Sequence, residues 1–172
     1  MELTLKRCAV RSWKTADADA LVKHANNRNV WINLRDAFPY PYSKRDARDF
    51  LKSVTDRSPE TLFAIAVEGE AIGGVGFVLH PDVERVSAEI GYWLAEPFWG
   101  RGIATEALTA VTRHAIEAHG LTRVYALPFA WNVPSCRVLE KAGFVLEARL
   151  RRSAIKDGVV TDQMQYAFIV AE

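Results

Sequence analysis

Residues Ala95–Leu108, AEPFWGRGIATEAL, decide how the rest of the chain is read. The apolar run Ile90-Gly91-Tyr92-Trp93-Leu94 before them reads as a strand. Behind them, Ala104, Ala107, Leu108, Val111, Ala115 and Ala118 recur at helical spacing, so a helix is predicted from Gly102 to His119, with Gly120 as its stop. Gly100 and Gly102 therefore fall where strand gives way to helix, with Arg101 between them. A helix N-terminus carries unpaired N–H groups and the positive end of the helix dipole, and flanking glycines let a ligand approach the main chain. Two readings fit this pattern: an anion-binding turn, or an ordinary strand–helix connection in which the glycines only make the bend.

Upstream, a strand is predicted from about Arg85 to Leu94. Before it, Leu62–Val67 and Ala71–Leu79 read as two strands joined by the tight turn Glu68-Gly69-Glu70. Gly73-Gly74-Val75-Gly76 lacks dinucleotide-loop spacing and precedes no helix, so these glycines mark a bend or a close approach by a neighbour. The N-terminal third opens with one alternating strand, Leu3 to Arg11. A helix capped by Thr15 or Asp17 follows, running to about Asn26, and then a short helix carrying Val30, Trp31 and Leu34. Phe38-Pro39-Tyr40-Pro41-Tyr42 cannot be regular helix, and its rings either pack over a core or line a pocket. Ser43 with Asp46 starts another helix, to about Val54.

Downstream, Thr122–Leu127 is a strand. Asn132 caps a short helix with Pro134 in its first turn and Gly143 at its end. Phe144–Leu150 and Val159–Val170 are the last strands, folded back on each other by the Asp157-Gly158 turn signal. The resulting order predicts a mixed α/β (α+β) fold with a central, mostly antiparallel sheet of about seven strands and helices on both faces. No repeat or linker divides it, so residues 1–172 are expected to form a single domain.

Hydrophobic residues at 49% and charged residues at 25% place the chain among soluble globular proteins. Lys plus Arg (22) nearly balance Asp plus Glu (21), which leaves no general electrostatic footprint for nucleic acid. The local basic run Arg149-Leu150-Arg151-Arg152 reads as an exposed strand. Cys8 and Cys136 are far apart and lack metal-ligand spacing, so reduced thiols and no metal site are expected. The N-terminus shows no signal-like apolar region, and no apolar run approaches membrane-spanning length. A cytoplasmic protein with no membrane partner, monomer or homodimer, is the expectation.

Trp99-Gly100-Arg101-Gly102-Ile103-Ala104, Asn132-Val133-Pro134-Ser135 and Leu139-Glu140-Lys141-Ala142-Gly143-Phe144 occur in that order, about thirty residues between the first two. Together they resemble the acyl-CoA-binding core of the GNAT superfamily of N-acetyltransferases. The resemblance is nearer to its ribosomal-protein-alanine (RimJ/RimL-like) branch, because Phe38-Pro39-Tyr40-Pro41, Glu89-Ile90-Gly91-Tyr92-Trp93-Leu94 and the Gly158–Tyr166 hairpin are similar to that branch too. It implies a GNAT-like fold, acetyl-CoA as cosubstrate and no metal. It also implies cofactor binding at Trp93, Leu94, Trp99, Gly100, Arg101, Gly102, Ile103, Ala104, Thr105, Asn132, Ser135 and Lys141. Trp99 stands where the superfamily's phosphate loop has a polar residue, so main-chain N–H groups of Gly100–Ala104 would do the holding. Arg101 either adds charge at the rim or is solvated.

If Glu89, Gly91 and Trp93 share one face, Glu89 projects from an apolar strand. A carboxylate there is costly unless it is paired or lines a solvated cleft. Glu89 is thus either a general base or a glutamate bonded to an arginine or an amide, and family members often carry the base on this strand. Main-chain N–H groups near Trp93 and Leu94 would hold the thioester carbonyl. The resemblance also places Asn132 against the pantetheine arm. The wider superfamily often has a tyrosine four residues after the position of Ser135, which protonates the departing thiolate; here that position is Leu139. The acid is then Ser135, a water, Tyr166 or Tyr40, or no group at all, since a thiol of pKa about 8.5 leaves tolerably unaided. Cys136 reads as a buried structural thiol rather than an acyl carrier.

The function expected is acetyl transfer from acetyl-CoA to a primary amine, above all a protein or peptide α-amino group, with Glu89 and Ser135 as catalytic residues. Trp31, Arg35, Phe38, Tyr40, Phe129 and Trp131 are expected to wall the acceptor cleft. The rivals are a small-amine acetyltransferase and a non-catalytic acyl-CoA-binding module on the same fold.

Overall fold

A computed structural model describes residues 2–171. The stretch read as one N-terminal strand is a hairpin, β1 (Glu2–Thr4) and β2 (Ala9–Ser12), paired antiparallel. Its reversal, Leu5–Cys8, is closed by the Leu5 N–H on the Cys8 carbonyl at 2.9 Å. The Glu106 carboxylate, about a hundred residues away, accepts the N–H groups of Lys6 (3.1 Å) and Arg7 (2.8 Å) and so satisfies the donors the reversal exposes. This split accounts for eight strands among the described residues where about seven were expected.

A single helical turn over Thr15–Asp17 leads into α1 (Ala18–Ala25). Neither Thr15 nor Asp17 caps α1 through its side chain. Asp17 is instead buried against Arg11, whose two terminal nitrogens each lie 2.8 Å from a carboxylate oxygen. Asn27 caps the short α2 (Arg28–Trp31) by accepting from the Asn29 and Val30 amides. Ser43 and Asp46 cap α3 (Lys44–Thr55) reciprocally, as their spacing predicts.

The sheet continues with β3 (Leu62–Val67) and β4 (Glu70–Leu79), joined through Glu68 and Gly69 at φ 50° and 85°, and with β5 (Ser87–Leu94) antiparallel to β4. The glycines of β4 mark close approaches. A Cβ at Gly76 would lie 2.6 Å from the Thr61 carbonyl oxygen, and one at Gly74 would lie 2.8 Å from Trp93 Nε1. After α4 (Ile103–His119), β6 (Arg123–Ala126) joins β5 in parallel. Then come α5 (Val133–Lys141), β7 (Val145–Lys156) and β8 (Val159–Ile169). β7 outruns its predicted end at Leu150 because register shifts at Leu146/Ala148 and Leu150/Ala154 absorb the irregular part of the strand. The strand order is β1-β2-β3-β4-β5-β6-β8-β7.

Two apolar clusters cover the two faces of this sheet. One packs Ile103, Ala107, Leu108 and Val111 of α4 and Leu139 of α5 against Ala88, Ile90 and Leu94. The other packs α1 and α3 (Leu21, Ala47, Leu51, Val54) against Ala64 and Ala71, with Trp93 beside it. Among the described residues no helix is long and apolar enough to cross a membrane.

Candidate active site

The period of two along β5 separates its chemistry by face. Ala88, Ile90, Tyr92 and Leu94 point to the α4/α5 side, whereas Trp93 joins the α1/α3 side, which puts Glu89 and Gly91 there too. On that side the Arg35 guanidinium donates to Glu89 Oε1 in an ion pair. Arg35 is exposed, and the Glu89 side chain keeps 26% of its surface open. Tyr125, the register partner of Glu89 on β6, stacks on His80 with its hydroxyl 2.9 Å from His80 Nε2. Burial, followed by the Glu89 charge, pushes the Tyr125 phenol above its ordinary value. Phe38 packs on Trp93 (ring centroids 5.5 Å apart), and Gly91 leaves open space between Glu89 and Trp93: a Cβ built there meets nothing within 4 Å.

The β5–β6 ladder stops at Glu89↔Tyr125 although β5 runs on to Leu94. Leu127 and Pro128 stay with β8 instead: Met164 donates to the Pro128 carbonyl at 2.9 Å, and Phe129 bridges to Gln163. The two strands therefore splay apart. Ladder parity fixes which groups face the opening. Ala95 N–H bonds the Ile72 carbonyl and His80 N–H the Ser87 carbonyl, so odd-numbered residues of β5, Trp93 included, turn their main chain to β4. The N–H groups of Tyr92 and Leu94 face the opening. The Leu94 carbonyl is held by Trp99, whose indole N–H donates to it at 2.7 Å, a tether that gives this exposed tryptophan a role in place of a polar phosphate ligand.

At the start of α4, Gly100 (φ 73°) and Gly102 (φ 76°) are both left-handed, a conformation that costs a side-chain-bearing residue about 1–2 kcal/mol. Gly102 is the N-cap and supplies no side chain, so the first-turn N–H groups of Ile103–Thr105 lack a side-chain cap. The Arg101 guanidinium lies over the Phe98 ring, 5.3 Å from its centroid. Arg7, Arg113 and Lys141 border the recess beside Gly102 and Thr105 together with Glu106, which pairs with Arg7, so basic groups outnumber acidic ones at the helix start. An anion fits this arrangement on both counts, N–H donors and local charge.

Asn132 caps α5 by accepting the Ser135 N–H at 3.3 Å. The Tyr92 hydroxyl lies 2.7 Å from Ser135 Oγ and 3.2 Å from the Ser135 carbonyl oxygen. Leu139 is fully buried in the core. Tyr166, buried in the core cluster beside α5, donates to Glu140 Oε1 at 2.9 Å. Cys8 and Cys136 are free and buried. Burial raises both thiols, that of Cys8 to about 11, which leaves neither as a ready nucleophile near neutral pH.

The sequence family follows from comparison. A profile of the acetyltransferase (GNAT) domain matches residues 7–145, most of the chain. The chain belongs to the GNAT acetyltransferase family. An uncharacterized N-acetyltransferase, p20, of Bacillus licheniformis is 29% identical over 99% of this chain and 97% of its own length. The ribosomal-protein-serine acetyltransferase of Escherichia coli is 29% identical over 80% of this chain and 79% of its own. A structure of RimL, a ribosomal L7/L12 α-N-protein acetyltransferase in complex with coenzyme A, superposes with a TM-score of 0.86 over 99% of this chain and 98% of its own, at 22% identity. The family match makes it a GNAT acetyltransferase domain, similar in sequence to a ribosomal-protein acetyltransferase and in fold to RimL.

In this GNAT domain a continuous cavity of about 1800 Å³ runs through the splay. It is lined by Glu89, Trp93, Leu94, Trp99, Gly100, Gly102, Ile103, Ala104, Thr105, Asn132, Ser135 and Lys141, and also by Arg35, Phe38 and Trp131. Arg101 stands outside the lining. Trp31, Tyr40 and Phe129 stand outside the lining too: Trp31 packs on the exposed Tyr40 and carries Lys156 Nζ 3.8 Å above its ring, and the buried Phe129 packs on Trp131. Among the linings that sequence reasoning missed are Tyr92, Asn33 and the tip of the β7–β8 hairpin, Lys156 and Asp157. That tip is tied down by Lys156–Asp36 at 2.9 Å and Arg28–Asp157 at 2.6 Å. Such tertiary pairs have no local pattern, although Tyr92 could have been found by following the even face of β5.

Proposed function

We propose that the protein transfers an acetyl group from acetyl-CoA to a primary amine, most naturally the α-amino group of a protein or peptide. The observation that carries this reading is the splay of β5 from β6 with an uncapped helix start at its end. An extended thioester arm can lie along the free edge of β5 and a pyrophosphate can meet the N–H groups at Gly102–Thr105. The RimL structure named above is a complex with coenzyme A, and the E. coli relative is named for a ribosomal protein, which supports both halves of the reading.

The chemistry follows from the two faces of β5. The Leu94 N–H faces the opening and is placed to polarise the thioester carbonyl, a kind of donor worth about 10²–10³ in rate. The amine enters on the Glu89 side, over the gap left by Gly91. Arg35 occupies Oε1 of Glu89, and Oε2 takes the amine proton, directly or through a water, as the C–N bond forms. Ser135 lies at the thiolate end. An α-amino acceptor suits one carboxylate base, because its pKa of about 7.7–8.0 leaves much of it neutral near pH 7–8.

Release of CoA measured across a panel of N-terminal peptides, polyamines, amino acids and aminoglycosides tests the reading. Turnover with α-amino peptides above all is the expected result. Binding of acetyl-CoA with no CoA released by any amine would overturn it in favour of a non-catalytic CoA-binding module.

A further inference from the structure

The superfamily tyrosine position is Leu139 here, and Leu139 is buried in the core without proton chemistry. A phenol that lines the splay comes from another element. Tyr92 projects from β5 to the α5 side, and its hydroxyl is 2.7 Å from Ser135 Oγ. Both residues line the cavity. Resting on the acetyl-CoA reading above, we propose that Tyr92 is a positioning residue: it donates its proton to Ser135 Oγ and thereby aims the Ser135 O–H at the CoA sulfur.

The distances assign the direction of that bond. Tyr92 has one proton and two acceptors within reach. The Ser135 carbonyl is 3.2 Å away, beyond the usual range for O–H···O, and as a first-turn carbonyl of α5 it already has the helical N–H of Leu139 to accept. Ser135 Oγ at 2.7 Å lies at the preferred separation and takes the Tyr92 proton. Ser135 then cannot spend its own proton on Tyr92 and is left to donate into the cavity. Asn132, which accepts the Ser135 N–H, keeps the residue in its rotational place at the helix start.

The pair stabilises the leaving thiolate by a hydrogen bond rather than by surrendering a proton. An alcohol is a much weaker acid than a thiol, so an alkoxide at Ser135 is not a sensible end state. Burial disfavours a tyrosinate at Tyr92. The atoms balance without either: the C–N bond forms, the C–S bond breaks, the amine proton leaves on Glu89, and the sulfur departs as thiolate held by Ser135 O–H, to be protonated by solvent on release.

The bound product reports this without any acceptor. CoA is added to the protein and the thiolate absorbance of the complex is followed between about pH 6 and 10; the Cys8 and Cys136 thiols, both raised by burial, ionise above the wild-type transition. A charge-assisted hydrogen bond is expected to increase the acid dissociation constant of bound CoA roughly tenfold over free CoA. Ser135→Ala and Tyr92→Phe should each remove most of that increase, and the double variant should remove no more than Ser135→Ala alone. Thermal melting confirms that each variant is folded. A Tyr92→Phe protein whose bound CoA ionises as in wild type overturns the assignment, as does a wild-type complex that ionises like free CoA. A wild-type protein that binds no CoA in calorimetry overturns the acetyl-CoA reading itself and this inference with it.

Discussion

Arg35 and Glu89, far apart in the chain, meet at the wall of the cavity, with the guanidinium on one carboxylate oxygen, Oε1. A base is most effective when a third group fixes its orientation, and Arg35 is placed to do this from an exposed position. Glu89→Gln should lower kcat by about 10²–10⁴ with little change in acetyl-CoA affinity. Arg35→Ala should cost less, on the order of tenfold, and should add almost nothing on top of Glu89→Gln. Steady-state kinetics on the four proteins measures this; independent, multiplying effects would mean that Arg35 acts on something other than Glu89.

Gly91 tests the acceptor path without touching a charged group. Its Cβ position is open and its φ is not left-handed, so a side chain is tolerated by the backbone. Gly91→Val should leave the melting temperature unchanged or slightly raised, since strand propensities span only about 1 kcal/mol. It should cut kcat/KM for the amine on the order of tenfold or more by filling the space between Glu89 and Trp93. Full activity in a folded Gly91→Val protein would move the acceptor elsewhere.

The strand–turn–helix at Ala95–Leu108, the Asn132 and Ser43 caps and the late hairpin were legible because each is a local device: a left-handed glycine, an Asx or Ser cap, an Asp-Gly turn. The face that carries Glu89 was legible because strand alternation is also local. The partners of those groups were not. Arg35 on Glu89, Tyr92 on Ser135 and Glu106 under the Lys6–Arg7 reversal join residues many positions apart, and only the folded sheet sets their distances. The aromatic wall was legible by type but not by place. Phe38 and Trp131 line the cavity while Trp31, Tyr40 and Phe129 stand outside its lining, a difference of placement in the fold that composition does not encode.

Charge and geometry at the anion turn can be separated at Gly102. Alanine adds only the cost of a left-handed φ, about 1–2 kcal/mol. Glutamate adds a negative charge at a helix N-terminus where a pyrophosphate would sit, and charge effects there reach about 2 kcal/mol. Acetyl-CoA affinity by calorimetry should therefore fall modestly in Gly102→Ala and a further tenfold or so in Gly102→Glu. Equal affinities in wild type and Gly102→Glu would remove this turn from the binding site.

Asp17 makes a stability prediction independent of function. Its carboxylate and the Arg11 guanidinium are both buried, at 6% exposure each, in a two-bond pair. The carboxylate also raises the Arg11 ionisation above its ordinary value, chiefly through that hydrogen bond. Removing one partner strands the other charge in the core, so Asp17→Ala should destabilise by about 3–5 kcal/mol in urea denaturation. Arg11→Met with Asp17→Leu, which removes both charges, should recover much of the loss.

Acid should unfold the protein through a few identified carboxylates. Arg123 holds Glu147 below its ordinary range with two hydrogen bonds, Lys23 and His24 do the same for Glu70, and the Arg152 N–H, followed by the Arg149 guanidinium, does so for Asp162. Because the folded value of each is lower than the unfolded one, the unfolded chain binds protons first as pH falls. Their contribution is complete above the unfolded values of about 4 and disappears as pH drops through the lower folded values. Melting temperature should hold steady from about pH 7 to 5 and fall steeply below about 4. Arg123→Gln should lower the plateau slightly, since the pair is partly solvent-exposed, and should flatten the acid limb because Glu147 then keeps only the Gln165 amide to hold it below its ordinary range. An acid limb of unchanged steepness in that variant would show that Glu147 contributes nothing to it.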